Sequence, residues 1–243
     1  MDAFASPGSF WFAYKPFIIA FAVMAVLAFG LMRLLLYTRR NAEDELTGLL
    51  HRDTGLYLER LNNNKLFRII FRRPVLLLYK LDGYMKTGGD EEIRAIIAEL
   101  DRMKLEPRDR VDYLQKRMSF FVSIGDAEEG KRSFDQLSAY LHATRADEVE
   151  RYQAMLDEGR EIIRVYLDKD TSYMEELLSK ANDTEHPVLR GVMYFRLAKL
   201  AHFKGDARAR EKYLSLATET LSNTDYEVLI KAALDEPEIL EIK

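Results

Sequence analysis

The hydrophobic pattern of the chain changes character once, near residue 38. Residues 16–32 read PFIIAFAVMAVLAFGLM and carry no charge; Arg33 interrupts, and LLLY then continues to Tyr37. Wound as a helix, residues 16–37 extend about 30 Å, one hydrocarbon thickness. Apolar side chains run all the way round this helix, which suits lipid better than a soluble core with one wet face. Arg33 lies about a turn from the end, where its long stem lets the charge reach the interface. Phe10, Trp11, Phe12 and Tyr14 form an aromatic belt on one side and Tyr37 marks the other. A cleaved signal peptide would have a more basic start and a shorter apolar core; here only Lys15 precedes the core, and Arg33, Arg39 and Arg40 follow as a stop. The sequence therefore predicts a tail over 1–15 and a transmembrane helix over 16–38.

Beyond residue 38 the apolar positions recur at helical spacing and strand signals are nearly absent; VLLLY from Val75 and VSI before Gly125 fit buried helix faces as well as strands. Gly-Asp recurs at Gly89-Asp90, Gly125-Asp126 and Gly205-Asp206, each between two apolar-periodic stretches. Gly can end a helix in the left-handed conformation and Asp can cap the next. A further hinge is due near Leu167-Asp168-Lys169-Asp170, with Asp170 as the cap. The pattern predicts four antiparallel pairs: 74–86 with 90–104, 107–123 with 126–142, 147–167 with 170–181, and 187–204 with 206–221. A last helix over 225–234 closes the stack. Pro74, Pro107 and Pro187 stand at first helical turns, where a missing N–H costs nothing. Residues 39–73 read as a basic helical juxtamembrane linker, and 74–243 as one helical-repeat domain.

Charge refines this picture. The net charge of −4 conceals an asymmetry: residues 1–80 hold 11 Lys/Arg against 6 Asp/Glu, the remainder 25 against 34. A basic membrane-proximal part beside an acidic distal part suits an anionic leaflet and argues against a nucleic-acid binder. Lys15 is the only basic residue before the apolar segment, and Arg33, Arg39, Arg40 and Arg52 follow it. The positive-inside rule then puts the N-terminus outside and the C-terminal domain in the cytoplasm of a single-pass membrane protein. Cysteine is absent, which removes disulfides and thiolate chemistry.

Candidate chemistry is thin. Gly125–Lys131 has the glycine-to-lysine spacing of a phosphate-binding loop, but Arg132 replaces the magnesium-binding hydroxyl and Asp126, Glu128 and Glu129 oppose a phosphate. Asp53-Thr54-Gly55 copies an aspartic-protease triplet without a second carboxylate, and Asp53 serves better as a helix cap. His51, His142, His186 and His202 form no helical pair. We expect no catalytic residue, metal or cofactor. The stretch 65–73 alternates Lys65, Arg68, Arg72 and Arg73 with Phe67, Ile69, Ile70 and Phe71; its basic face is a candidate contact for anionic lipid headgroups.

Around the last hinge, Tyr194, Leu197, Ala198 and Ala201, then Leu214 and Ala217, occupy the large and small packing positions of tetratricopeptide repeats, and Leu114, Phe121, Gly130 and Phe134 do so around the second. Residues 74–222 thus resemble that family (TPR-like), with departures at Arg210 and Asp82 and a missing glycine in the third pair. Single-pass, repeat-bearing accessory proteins of bacterial membranes look similar overall. The resemblance implies an all-α solenoid of antiparallel helical hairpins whose concave side binds a protein or peptide partner. On this reading Tyr79, Tyr113, Arg117, Arg190 and Arg196 line the groove, and the protein is a membrane-anchored adaptor or scaffold. The alternative is an extracytoplasmic, chaperone-like accessory of a secretion or envelope-assembly system.

Overall fold

The computed structural model describes the backbone of residues 7–143, 146–224 and 226–241, and side chains of 17, 20–143, 152–224 and 226–241. Among these residues the chain is all-helical, 86% helix with no strand. It divides into two compact units, Met1–Lys104 and Leu105–Lys243.

The first unit is built on α1 (Pro7–Arg52), one unbroken helix of 46 residues. Its stretch Ala20–Arg52 is long and apolar enough to cross a membrane. From Phe21 to Tyr37 its large apolar side chains are exposed, and no part of the most apolar stretch is buried. The side chains of Phe10, Trp11, Phe12 and Tyr14, and that of Lys15, lie outside the described residues. The helix continues without a break through residues 38–52. Ala42 and Leu46, with Leu49 and Leu50 beside them, form one face of this later part and pack on α2 (Thr54–Asn63) and α3 (Phe67–Ile70). The sharp turn between α1 and α2 is held by Asp53, whose Oδ1 accepts from the Leu56 N–H at 2.9 Å. Within residues 39–73, Tyr57, Leu61, Phe67 and Phe71 are core residues of the first unit.

Helix α4 (Arg73–Thr87) touches α2 as well as its expected partner α5 (Asp90–Leu100). The close approach is at Gly83, where a Cβ would meet Leu58 Cδ2 at 2.5 Å and Tyr57 Cε1 at 2.9 Å. The Tyr57 hydroxyl donates to the Tyr79 carbonyl at 2.7 Å, and burial raises this phenol well above the usual tyrosine range. At the first hinge the left-handed residue is Gly88 (φ 74°), one position before the expected glycine; Gly89 is the cap and Asp90 already helical. Helix α5 stops at Leu100, short of the predicted 104.

Two of the predicted hairpins are present in the second unit, whereas residues 174–183 of the third predicted pair pack chiefly on 187–203. Helices α6 (Pro107–Ser123) and α7 (Ala127–Ala143) pack together, as do α10 (Pro187–Phe203) and α11 (Ala207–Leu221). Gly125 and Gly205 have φ of 62° and 76°, and the Asp126 and Asp206 carboxylates cap Glu129 N at 3.1 Å and Ala209 N at 2.9 Å. Leu197, Ala198, Ala201, Leu214 and Ala217 are fully buried between α10 and α11. Between the hairpins lie α8 (Ala146–Ile162), a π-helical turn (Ile163–Leu167), a 3-10 turn (Thr171–Tyr173) and α9 (Met174–Asp183). The third hinge lacks a glycine, and Lys169 takes its place at φ 52° while Asp170 caps Ser172 N at 3.1 Å. Helix α12 (Tyr226–Asp235) packs on α11; Asp225, its predicted start, lies outside the described residues.

Candidate functional site

The strongest concentration of polar chemistry is where α8, α9 and α10 meet in the second unit, an open cleft of about 420 Å³. Its origin is a charge placed in an apolar run. Helix α10 reads VMYFRLAKLAHF, and Arg196 falls on its buried side with 5% of its side chain exposed. A guanidinium so placed requires carboxylates. Helix α8 supplies two, Glu158 and Glu161, one turn apart on one face, and Arg196 is ion-paired with both. Burial works against the Arg196 charge, but these carboxylates, Glu158 foremost, and Tyr166 outweigh it and raise its pKa.

From Glu161 the network runs outward. The Tyr173 hydroxyl donates to Glu161 Oε2 at 2.8 Å, and Lys180 Nζ donates to the Tyr173 hydroxyl at 2.6 Å. Lys180 also pairs with Glu176 at 3.0 Å. The Lys180 hydrogen bond lowers the Glu176 carboxyl, and burial raises the Tyr173 phenol. The π-helical turn brings Arg164 onto the Tyr173 ring face, 3.8 Å from its centroid, and lets it reach Asp170 at 2.8 Å and Glu176 at 3.3 Å. Hydrogen bonds from the Ser172 hydroxyl and Arg164 hold the Asp170 carboxyl below its usual range. Leu189 and Met193 give the cleft an apolar side, and Leu189 is 40% exposed.

The cleft presents charges of both signs, paired with one another, around a small apolar patch. One turn further along α10, Lys199 is buried against the rings of Tyr166 and Phe203, and burial pulls its ammonium down to about 8.

Several residues nominated from the sequence sit elsewhere than expected. Tyr113 is wholly buried, and Arg117 and Arg196 nearly so; Arg117 pairs with Glu129 at 2.7 Å. All three are interior residues. Arg190 is half-buried on α10. Tyr79 belongs to the first unit, half-buried with its ring edge-on to Phe71 at 5.4 Å. Lys65, Arg68, Arg72 and Arg73 are all exposed; Arg73 reaches Glu99 at 2.8 Å, and Arg68 donates to the Asn62 carbonyl at 3.3 Å. The sequence reading missed Glu158, Glu161, Arg164, Tyr173 and Lys180. The signal available was Arg196 itself, stranded among apolar residues and in need of partners.

The glycine-to-lysine motif is a hairpin turn. Gly130 lies within α7, its N–H bonded to the Asp126 carbonyl at 2.9 Å, and Lys131 is paired with Asp168. Among the described residues no group of three or more His, Asp or Glu is arranged to hold a metal ion. His186 caps α10 through Nδ1, and His202 lies 3.1 Å from Glu241. Comparisons with models of protein families, with curated proteins and with solved structures find no match.

Proposed function

We propose that the chain is a single-pass membrane adaptor: α1 anchors it, and the helical hairpins of its second unit hold a protein partner at the cytoplasmic face. The observation that carries the reading is the cleft between α8, α9 and α10. It is open, its charged groups are immobilised by one another, and Leu189 stands exposed at its side. Preorganised charge beside an apolar patch suits a short protein segment more than a small molecule, because binding then costs little side-chain ordering. The tetratricopeptide-like positions of α10 and α11 are compatible with this use. The cytoplasmic orientation rests on the basic residues that come after the apolar span.

The test uses a photo-crosslinking residue at Leu189 in the full chain in native membranes. A discrete adduct, lost when Arg160→Glu and Glu176→Arg reverse the rim charges and absent with the crosslinker at exposed Glu211, supports the adaptor. Failure to form any protein adduct at Leu189 would sink it. A reporter fused after Lys243 tests the side of the membrane: activity only outside the cytoplasm rejects the adaptor in favour of the extracytoplasmic accessory.

A further inference from the structure

The segment joining α2 to α4 carries an exposed apolar pair that its own fold does not use. Asn64 Oδ1 accepts from Leu66 N at 2.9 Å and starts the short turn α3. Phe67 and Phe71 point inward, edge to face at 5.7 Å, and lock the segment into the core of the first unit. Leu66 and Ile69 therefore point outward, 46% and 75% exposed. Lys65, Arg68 and Arg72 flank them and are exposed too.

What decides the meaning of this patch is its position along α1. Phe71 lies under Arg39, whose guanidinium carbon is 5.8 Å from the ring centroid. Arg39 is two residues past Tyr37, about 3 Å of rise beyond the last residue of the apolar span. The headgroup layer on each side of a bilayer is roughly 5–8 Å thick. The α3 segment is thus fastened to the helix at the depth where hydrocarbon gives way to phosphate.

We infer that α3 and its flanks form a second membrane contact, with Leu66 and Ile69 entering the interface and Lys65, Arg68 and Arg72 binding anionic lipid headgroups. The inference rests on the reading that residues 16–37 span the bilayer. The observations that select lipid are the charge of the flanks and their continuity with the apolar span. A short turn with one face anchored by two phenylalanines is a fixed wedge and pays no folding cost on contact.

The chain has no cysteine, so single labels can be placed cleanly. The full chain, carrying an environment-sensitive fluorophore at Ile69→Cys, is reconstituted in nanodiscs of phosphatidylcholine with or without phosphatidylglycerol. Quenching is read from lipids bearing a nitroxide at the headgroup. A second protein labelled at Ala28→Cys reports insertion of the span through a nitroxide in the acyl chain. We expect Ile69 to be quenched in the anionic nanodisc. Each of Lys65→Gln, Arg68→Gln and Arg72→Gln should lower the contact equilibrium about fivefold. Raising salt to 1 M should weaken it in the unmutated protein. Quenching at Ala28 without quenching at Ile69 overturns the inference and leaves the span intact. Quenching at Ile69 that is equal in both lipids and indifferent to the glutamine changes overturns its headgroup selectivity. Loss of quenching at Ala28 removes the spanning reading and this inference with it.

Discussion

Arg196 and Glu161 stand 35 positions apart in sequence and are joined as an ion pair inside the second unit, with 5% and 7% of their side chains exposed. Neither charge can turn to water if the other is removed. Glu158, the other partner of Arg196, is 45% exposed and can. Arg196→Met should therefore cost up to about 3–5 kcal/mol, the usual penalty for stranding a buried charge, since Glu161 keeps only the Tyr173 hydroxyl at 2.8 Å and Lys180 at 3.8 Å. Glu161→Gln added to that change should restore part of the loss, because the amide oxygen still accepts from Tyr173. Urea unfolding of the full chain in detergent, monitored by circular dichroism, measures both. A double variant as unstable as the sum of its parts would argue against the pairing.

Lys199 gives a pH dependence with a definite sign. Its ammonium is lowered from 10.5 to about 8 in the folded chain, first by burial and then by Lys169. Between these values the unfolded chain holds a proton that the folded chain has shed, so this group makes stability rise with pH from about 8 to 10.5. Below 8 the folded chain carries the full penalty, on the order of 3 kcal/mol. Lys199→Met should be more stable than the parent at pH 7, and the gap should close as pH rises past 10.5. Denaturation midpoints of the two proteins across that range give the difference directly.

Two glycines in helices should respond oppositely to alanine. At Gly191 a Cβ would meet Thr220 Oγ1 at 2.3 Å and Leu221 Cγ at 2.5 Å. Gly191→Ala should cost about 1–3 kcal/mol by forcing α10 from α11. At Gly48 nothing lies within 4 Å. Gly48→Ala should stabilise α1 by about 0.5–1 kcal/mol. Thermal unfolding of both variants beside the parent decides.

The last hinge separates backbone from cap. Gly205 is left-handed at φ 76° with open space around it, so Gly205→Ala meets no clash and costs only the conformational penalty, about 1–2 kcal/mol. Asp206→Ala removes the acceptor for Ala209 N and should cost about 1 kcal/mol. Amide hydrogen exchange in the first turn of α11 should quicken in both.

Much of the helical architecture is legible in the sequence because turn chemistry is local. Gly125 and Gly205 need only their own φ, and Asp126 and Asp206 only an N–H three residues on. Spacing alone locates the hinge that lacks a glycine, and Lys169 fills it against its own preference. The features that stay hidden depend on partners far along the chain. Gly83 faces α2 rather than α5, which no periodicity in α4 records. Arg196 reads as a surface residue because its charge suggests water, while the carboxylates that bury it lie 35 and 38 positions earlier. The cleft is illegible for the same reason: its geometry depends on a π-helical turn, one extra residue in a helix whose apolar spacing looks ordinary.

The unbroken course of α1 has a mechanical consequence. With residues 16–37 in the bilayer as proposed, the 15 residues from there to Arg52 make a lever about 22 Å long. A 10° tilt, well within the range by which spans adjust to local thickness, would swing its far end sideways by about 4 Å. Because Ala42 and Leu46 on that lever are core residues of the first unit, the movement is handed to folded structure with no slack between. A thinner or thicker membrane would thereby be registered as a displacement of packed helices.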